Sequence, residues 1–319
     1  MSDGEVLGLS ITHVTGEPDG HPGGYGDEAM PRMGFFTDTS ICIGCKACEV
    51  ACKEWNQVPD DGQVFSGESY DNTSHLGAST WRHVAFVEQR RPLTVDGGGS
   101  LAQVAARNQL AEAGEVPIGE SADGMRWLMA SDVCKHCTHA ACLDVCPTGA
   151  LFRTEFGTVV VQEDVCNGCG YCVPACPFGV LDEREEPNPD FDAPDGRVWK
   201  CTLCYDRLKG GHEPACSKAC PTDSIQFGEL GALRERAERR VEKLRRDGWT
   251  GAQLYLATPD DGIGGAGAFF LLLDDPEVYG LPPDPVVTTR DLPGTWRSAA
   301  FAMGALVAGT AAAFLGGRR

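Results

Sequence analysis

The chain has 319 residues, with 46 acidic side chains against 27 lysines and arginines, a formal charge of −19. That balance excludes a nucleic-acid binder, which needs a basic face to displace counterions from phosphate. Length suggests two domains, 40 glycines and 20 prolines announce abundant loops, and sixteen cysteines are too many for incidental core residues.

Residues 1–34 are rich in Gly, Pro, Asp and Ser and lack the basic and apolar regions of a secretory signal, so an extended arm is expected, lying on a partner or without fixed structure. Val84–Glu88 and Thr158–Gln162 read as short hairpin strands. Between them lies an insertion, residues 96–125, which opens on three glycines and carries an alanine-rich piece of helical spacing at Leu101–Ala113. Residues 183–196 form an acidic, proline-bearing loop. Leu233, Ala237, Val241 and Leu244 fall on one face of a basic helix ending before Gly248, with a solvated opposite face as its simplest role. Gly262, Gly264 and Gly267 spell G-x-G-x-x-G, but the residues after them, Ala268–Leu273, read as a buried strand. A glycine-rich hairpin turn is therefore expected there in place of a dinucleotide site, which needs a helix at that point. Ser298–Gly317 is free of charge and long enough to span about 30 Å as a helix, with Trp296 and Arg297 before it and two arginines after it. It reads as a single membrane anchor, with small residues such as Gly304 and Ala308 allowing a neighbouring helix close; a buried soluble helix is the alternative. Flanking basic residues do not fix its orientation.

The cysteines fall into four groups of four: Cys42, Cys45, Cys48, Cys52; Cys134, Cys137, Cys142, Cys146; Cys166, Cys169, Cys172, Cys176; and Cys201, Cys204, Cys216, Cys220. The first and third groups are spaced C-x2-C-x2-C-x3-C, and the other two keep the opening C-x2-C and the closing C-x3-C. Pro147, Pro177 and Pro221 follow three of the groups. Three thiolates so close can wrap one face of an iron–sulfur cubane, whereas the fourth points away and ligates a neighbouring cluster. The arithmetic fits four [4Fe–4S] clusters. Structural zinc usually takes two C-x2-C knuckles across a longer loop, and disulfides would leave adjacent cysteines strained.

Cross-ligation predicts the partners. The second and third groups should exchange fourth ligands, giving Cys134, Cys137, Cys142 with Cys176, and Cys146 with Cys166, Cys169, Cys172. The remaining groups then give Cys42, Cys45, Cys48 with Cys220, and Cys52 with Cys201, Cys204, Cys216. The expected fold is loop-rich α+β: an inner dicluster module, residues 131–197, nested in an outer one, residues 35–130 and 198–230, with pseudo-two-fold symmetry. A helix-and-hairpin extension, residues 231–295, and the anchor, residues 296–319, complete it. His136, His139 and His212 lie beside these cysteines and read as polar loop residues; Lys46, Lys53 and Lys200 either offset cluster charge or are surface lysines. No acid–base pair or nucleophile is positioned for substrate chemistry.

In CIGCKACEVACKEWN (42–56), NGCGYCVPACPFGV (167–180), KCTLCYDR (200–207), EPACSKACPTDSIQFG (213–228) and YGLPPDP (279–285), together with the terminal apolar helix, the chain resembles the iron–sulfur (beta) subunits of respiratory membrane-bound formate dehydrogenases. The resemblance implies a non-catalytic electron-transfer subunit. Its partners would be a molybdopterin-containing catalytic subunit that oxidises formate, a membrane cytochrome b subunit that reduces quinone, and the lipid bilayer, with the soluble part on the outer face in related complexes. The same relay could serve a hydrogenase or a sulfur-compound or nitrate reductase. Nitrate-reductase subunits typically replace one cysteine, and here all sixteen positions are filled.

Overall fold

The computed structural model describes residues 31–62, 65, 67, 70–73, 75–90, 125–184, 196–287 and 292–316. Leu101–Ala113, residues 185–195 of the acidic loop, and the terminal arginines lie outside the described residues. So does most of the N-terminal arm, but its last residues are structured: Met33 opens strand β1, Met33–Asp38.

The chain mixes short helices and strands. A four-stranded sheet holds β1, β8 (Ile225–Glu229), β9 (Gln253–Tyr255) and β10 (Ala268–Leu272) in the order β8-β1-β10-β9. β1 runs parallel to β10 and antiparallel to β8. Side chains alternate across β1: Phe35 joins a core rich in cysteines, whereas Phe36 faces a second, aliphatic core. The second core is closed by helix α6, Leu230–Arg246, which buries Leu230, Leu233, Ala237, Val241 and Leu244 against the sheet. This is the expected apolar face with one further turn at its start. Asp247 caps the helix and Gly248 follows at φ 99°, a left-handed exit that favours glycine. On the exposed face Glu235 pairs with Arg239, and Lys243 pairs with Asp247.

The remaining strands frame the cysteines. β2 (Arg82–Arg90) and β3 (Met125–Val133) form a long antiparallel ribbon across the insertion, so the expected division between residues 130 and 131 falls inside a strand. β4 (Leu151–Arg153) pairs with β5 (Val159–Val161), and β6 (Asp182–Glu183) with β7 (Val198–Trp199). Short helices follow: α1 (Ala47–Asn56), α2 (Ala141–Asp144), α3 (Cys172–Ala175), α4 (Tyr205–Lys209) and α5 (Ala215–Lys218).

The G-x-G-x-x-G stretch joins β9 to β10, and the element after it is a strand, not a helix. β9 and β10 pair antiparallel, but the connection is a long loop and not a tight turn. It braces a cysteine run: the N–H groups of Thr138 and His139 donate to the carbonyls of Gly265 and Ile263. A Cβ on Gly264 would lie 2.4 Å from the His139 ring, so the glycine allows close packing. The terminal helix α7, Leu292–Gly316, contains one stretch, Gly294–Leu315, long and apolar enough to cross a membrane. None of that stretch is buried against the described residues, unlike a core helix.

Candidate iron–sulfur sites

All four runs open with the same turn. The residue before the second cysteine takes a left-handed conformation in each: Gly44 (φ 65°), His136 (φ 45°), Gly168 (φ 67°) and Leu203 (φ 58°). That turn curls the intervening backbone so that both thiols of a C-x2-C pair face inward. Glycine adopts it freely, while His136 and Leu203 do so at a cost of about 1–2 kcal/mol each. A short helix then presents the third cysteine of each run: Cys48 on α1, Cys142 on α2, Cys172 on α3 and Cys216 on α5. α1 packs on α5 and α2 on α3, so runs one and four meet, as do runs two and three.

The thiols gather in four sets. Cys42, Cys45, Cys48 and Cys220 line a shared recess with Ser131, Thr222 and Ser224. Burial pushes the Cys52 thiol well above its ordinary range, and the charges of Cys201, Cys216 and Cys204 push it further. Cys137 is raised by burial and then by Cys134, Cys142 and Cys176. Cys172 is pushed up to about 12 by burial, and Cys146, Cys166 and Cys169 add to it. Each set thus joins three cysteines of one run to the fourth of another. Neighbouring sets also feel each other: Cys216 acts on Cys48, Cys134 on Cys201, and Cys172 on Cys142. Those influences make the set of Cys42 a neighbour of that of Cys52, the set of Cys52 a neighbour of that of Cys134, and the set of Cys134 a neighbour of that of Cys166. Cys45 and Cys169, in the first and last sets, are the exposed members of the sixteen.

Buried thiols held close to one another ionise readily on a metal, where coordination removes the proton. Among the described residues, no three Cys, His, Asp or Glu side chains close on a single ion. The donor set and its spacing fit a cluster of several irons, which spreads its ligands, better than a zinc ion. Polar groups reach the sulfurs: the Asn56 amide lies 3.6 Å from Cys52 and 3.7 Å from Cys204. Burial raises the Cys146 thiol, but N–H groups of Leu151, Thr148 and Ala150 with the Thr148 hydroxyl outweigh it and leave it low.

The neighbouring cations divide. Lys46 bonds Glu49 and Asp71, and Lys53 bonds Asp61 at 3.0 Å, so both spend their charge on carboxylates. Lys200 is no surface residue; it is buried and donates to the carbonyls of Val159 and Cys201. His136 is likewise buried, contrary to its expected place in a polar loop. Its Nδ1 accepts from the Val159 N–H at 3.0 Å, and burial with the nearby Lys200 and Arg32 charges keeps it neutral. Sequence reasoning missed Lys135, buried and bonded to Asp132, and Arg82, buried beside Cys216. A lone basic residue in a β-rich run carries no sign of being interior.

These sites define the class: the 4Fe–4S dicluster domain matches residues 41–150 and again 125–230, two matches that together take in all four runs. The chain is 38% identical to the formate dehydrogenase iron–sulfur subunit of Haemophilus influenzae over 288 residues, 87% of this chain and 78% of that one. It is also 38% identical to the nitrate-inducible formate dehydrogenase iron–sulfur subunit of Escherichia coli, covering 79% and 73% of the two chains. A polypeptide of the Escherichia coli anaerobic dimethyl sulfoxide reductase is 33% identical over 64% of this chain and 77% of its own length. The chain belongs to the family of formate dehydrogenase iron–sulfur subunits.

Proposed function

We propose that this chain relays electrons through four [4Fe–4S] clusters from a molybdopterin-containing formate dehydrogenase catalytic subunit to a membrane cytochrome b subunit. Cys42, Cys45, Cys48 and Cys220 would hold one cluster, and Cys52, Cys201, Cys204 and Cys216 the next. Cys134, Cys137, Cys142 and Cys176 would hold the third, and Cys146, Cys166, Cys169 and Cys172 the fourth. Each cluster, when bound, supplies a one-electron carrier whose potential depends on burial, charge and hydrogen bonds. The two inner sets hold no exposed cysteine, and each outer set holds one.

The observation that supports the reading is a succession of four neighbouring thiol sets with an exposed cysteine in the first and in the last, Cys45 and Cys169. A relay needs such ends, where partner subunits can dock within electron-transfer reach. Pairing of α1 with α5 and of α2 with α3 supports two nested modules, residues 35–130 with 198–230 around 131–197. The exposed apolar α7 supports a single-pass membrane anchor with the cluster-bearing part on one side. A sulfur-compound reductase relay is the second reading, favoured by the dimethyl sulfoxide reductase relative. The formate dehydrogenase relatives match more of the chain and favour the first.

Anaerobic addition of formate to the purified complex tests the choice. Bleaching of the visible cluster absorbance, with transfer of electrons to a dye, is expected. Clusters that stay oxidised with formate but are reduced by hydrogen, or are reoxidised by a sulfoxide, would assign the relay to another enzyme.

A further inference from the structure

A hydrogen-bonded bridge links the first two thiol sets. Arg82 opens β2 and Ser131 lies near the end of β3; the pairing of Arg82 with Val133 and of Val84 with Ser131 sets both on the cysteine side of the ribbon. Both are buried, at 2% and 1% exposure. The guanidinium lies 4.9 Å over the Phe35 ring. Its Nη1 donates to the Ser131 hydroxyl at 3.1 Å and to the Ser131 carbonyl at 3.3 Å, and its Nη2 donates to the Cys216 sulfur at 3.4 Å. Ser131 Oγ is 3.2 Å from the Cys48 sulfur. Once Cys48 is a thiolate it can only accept, so the Ser131 hydroxyl donates to it while accepting from Arg82.

The charge of Arg82 has no carboxylate partner among the described residues. An unpaired buried cation costs several kcal/mol, so a structure that keeps one must supply negative charge elsewhere. Arginine stays charged at physiological pH, and the nearby sulfurs of Cys216, Cys48, Cys201 and Cys52 supply negative charge once ionised on a cluster. These four sulfurs come from two different sets, so one cation serves both. A cluster with four thiolates carries about −2 when oxidised and about −3 when reduced, and a fixed positive charge favours the more negative state.

We propose that Arg82 is the shared charge-balancing residue of the two outer-module clusters, raising the reduction potential of one through its bond to Cys216 and of the other through Ser131 to Cys48. The proposal rests on the four-cluster reading above. Ser131 acts on the second site only by relaying the hydrogen bond, so the two residues have separable effects.

The test is a potentiometric titration of the intact purified complex with dithionite, followed by electron paramagnetic resonance, with iron per chain measured on each sample. Dithionite makes the result independent of which substrate the complex uses. Arg82→Gln lowers two of the four midpoint potentials, each by at least tenfold in the reduction equilibrium, about 59 mV for one electron. The other two potentials stay in place. Arg82→Lys keeps the charge but loses the fork and gives smaller drops at the same two clusters. Ser131→Ala lowers one potential of that pair and leaves its neighbour unchanged. Arg82→Gln with full iron and four unchanged potentials would overturn the proposal, as would an equal shift of all four. If Arg82→Gln fails to hold iron, Ser131→Ala decides: an unchanged set of potentials there refutes the bridge. Fewer than four clusters in the unaltered complex would instead refute the relay itself.

Discussion

The turn in the third cysteine run can be broken in a graded way. Gly168 has φ 67°, and a Cβ there would meet the backbone carbonyl oxygen of Gly196 at 2.3 Å. Gly179, just after the same run, has φ 60° and nothing within 4 Å of the added carbon. Alanine at either position meets the left-handed penalty, about 1–2 kcal/mol. Only Gly168→Ala also forces two backbone segments apart, adding about 1–3 kcal/mol because a carbonyl cannot rotate away as a side chain can. That difference corresponds to a thermal midpoint roughly 2–12 °C lower for Gly168→Ala than for Gly179→Ala. Since Gly168 lies between Cys166 and Cys169, the loss should start there, seen as reduced iron per chain in Gly168→Ala alone. Paired melting curves by circular dichroism and visible absorbance, with iron analysis, measure both effects. Equal midpoints and equal iron in the two variants would refute the argument from close approach.

Three other outcomes are expected. The Asp71 carboxyl is partly buried, which raises it, but His83 and Lys46 outweigh this and hold it below its ordinary value. Its contribution to stability is therefore present at neutral pH and lost as pH falls through about 4 and below, so Asp71→Asn should flatten the acid limb of a stability–pH curve; identical limbs would contradict this. Arg240 donates to the buried Asp38 carboxylate at 2.8 Å and to Ser40 at 2.9 Å. Arg240→Ala should cost about 1–3 kcal/mol in denaturant titration, reduced from a fully buried pair because Arg240 is partly exposed. Truncation before Leu292 removes a helix with no buried face in its apolar stretch, so the shortened chain should retain its iron and cease to float with liposomes; loss of iron would show that α7 is needed for the cluster region.

Much of the site was readable because its chemistry demands residue types at fixed spacing. Cysteines in four runs, the apolar face of α6 and the charge-free stretch of α7 each leave a local mark. The shared left-handed turn was only half visible: Gly44 and Gly168 announce it, whereas His136 and Leu203 adopt it under packing, which no propensity reveals. The sheet was hidden for a different reason. β1 pairs with β8 and β10 from far along the chain, and long-range register leaves no trace in a short window. Buried cations were hidden too, because Arg82, Lys135 and Lys200 look like surface residues until the surrounding sulfurs, carbonyls and rings are placed. The glycine motif before β10 shows the reverse risk, a familiar spelling used for tight packing against a cysteine loop.

The central claim is that sixteen thiolates hold four clusters that form one relay. Iron analysis of the purified complex, combined with spin quantitation after anaerobic reduction by formate, tests it most directly. With four irons per cluster, the account predicts about sixteen irons per chain and four one-electron signals that formate reduces. Bound zinc, fewer clusters, or full iron that formate leaves oxidised would contradict it.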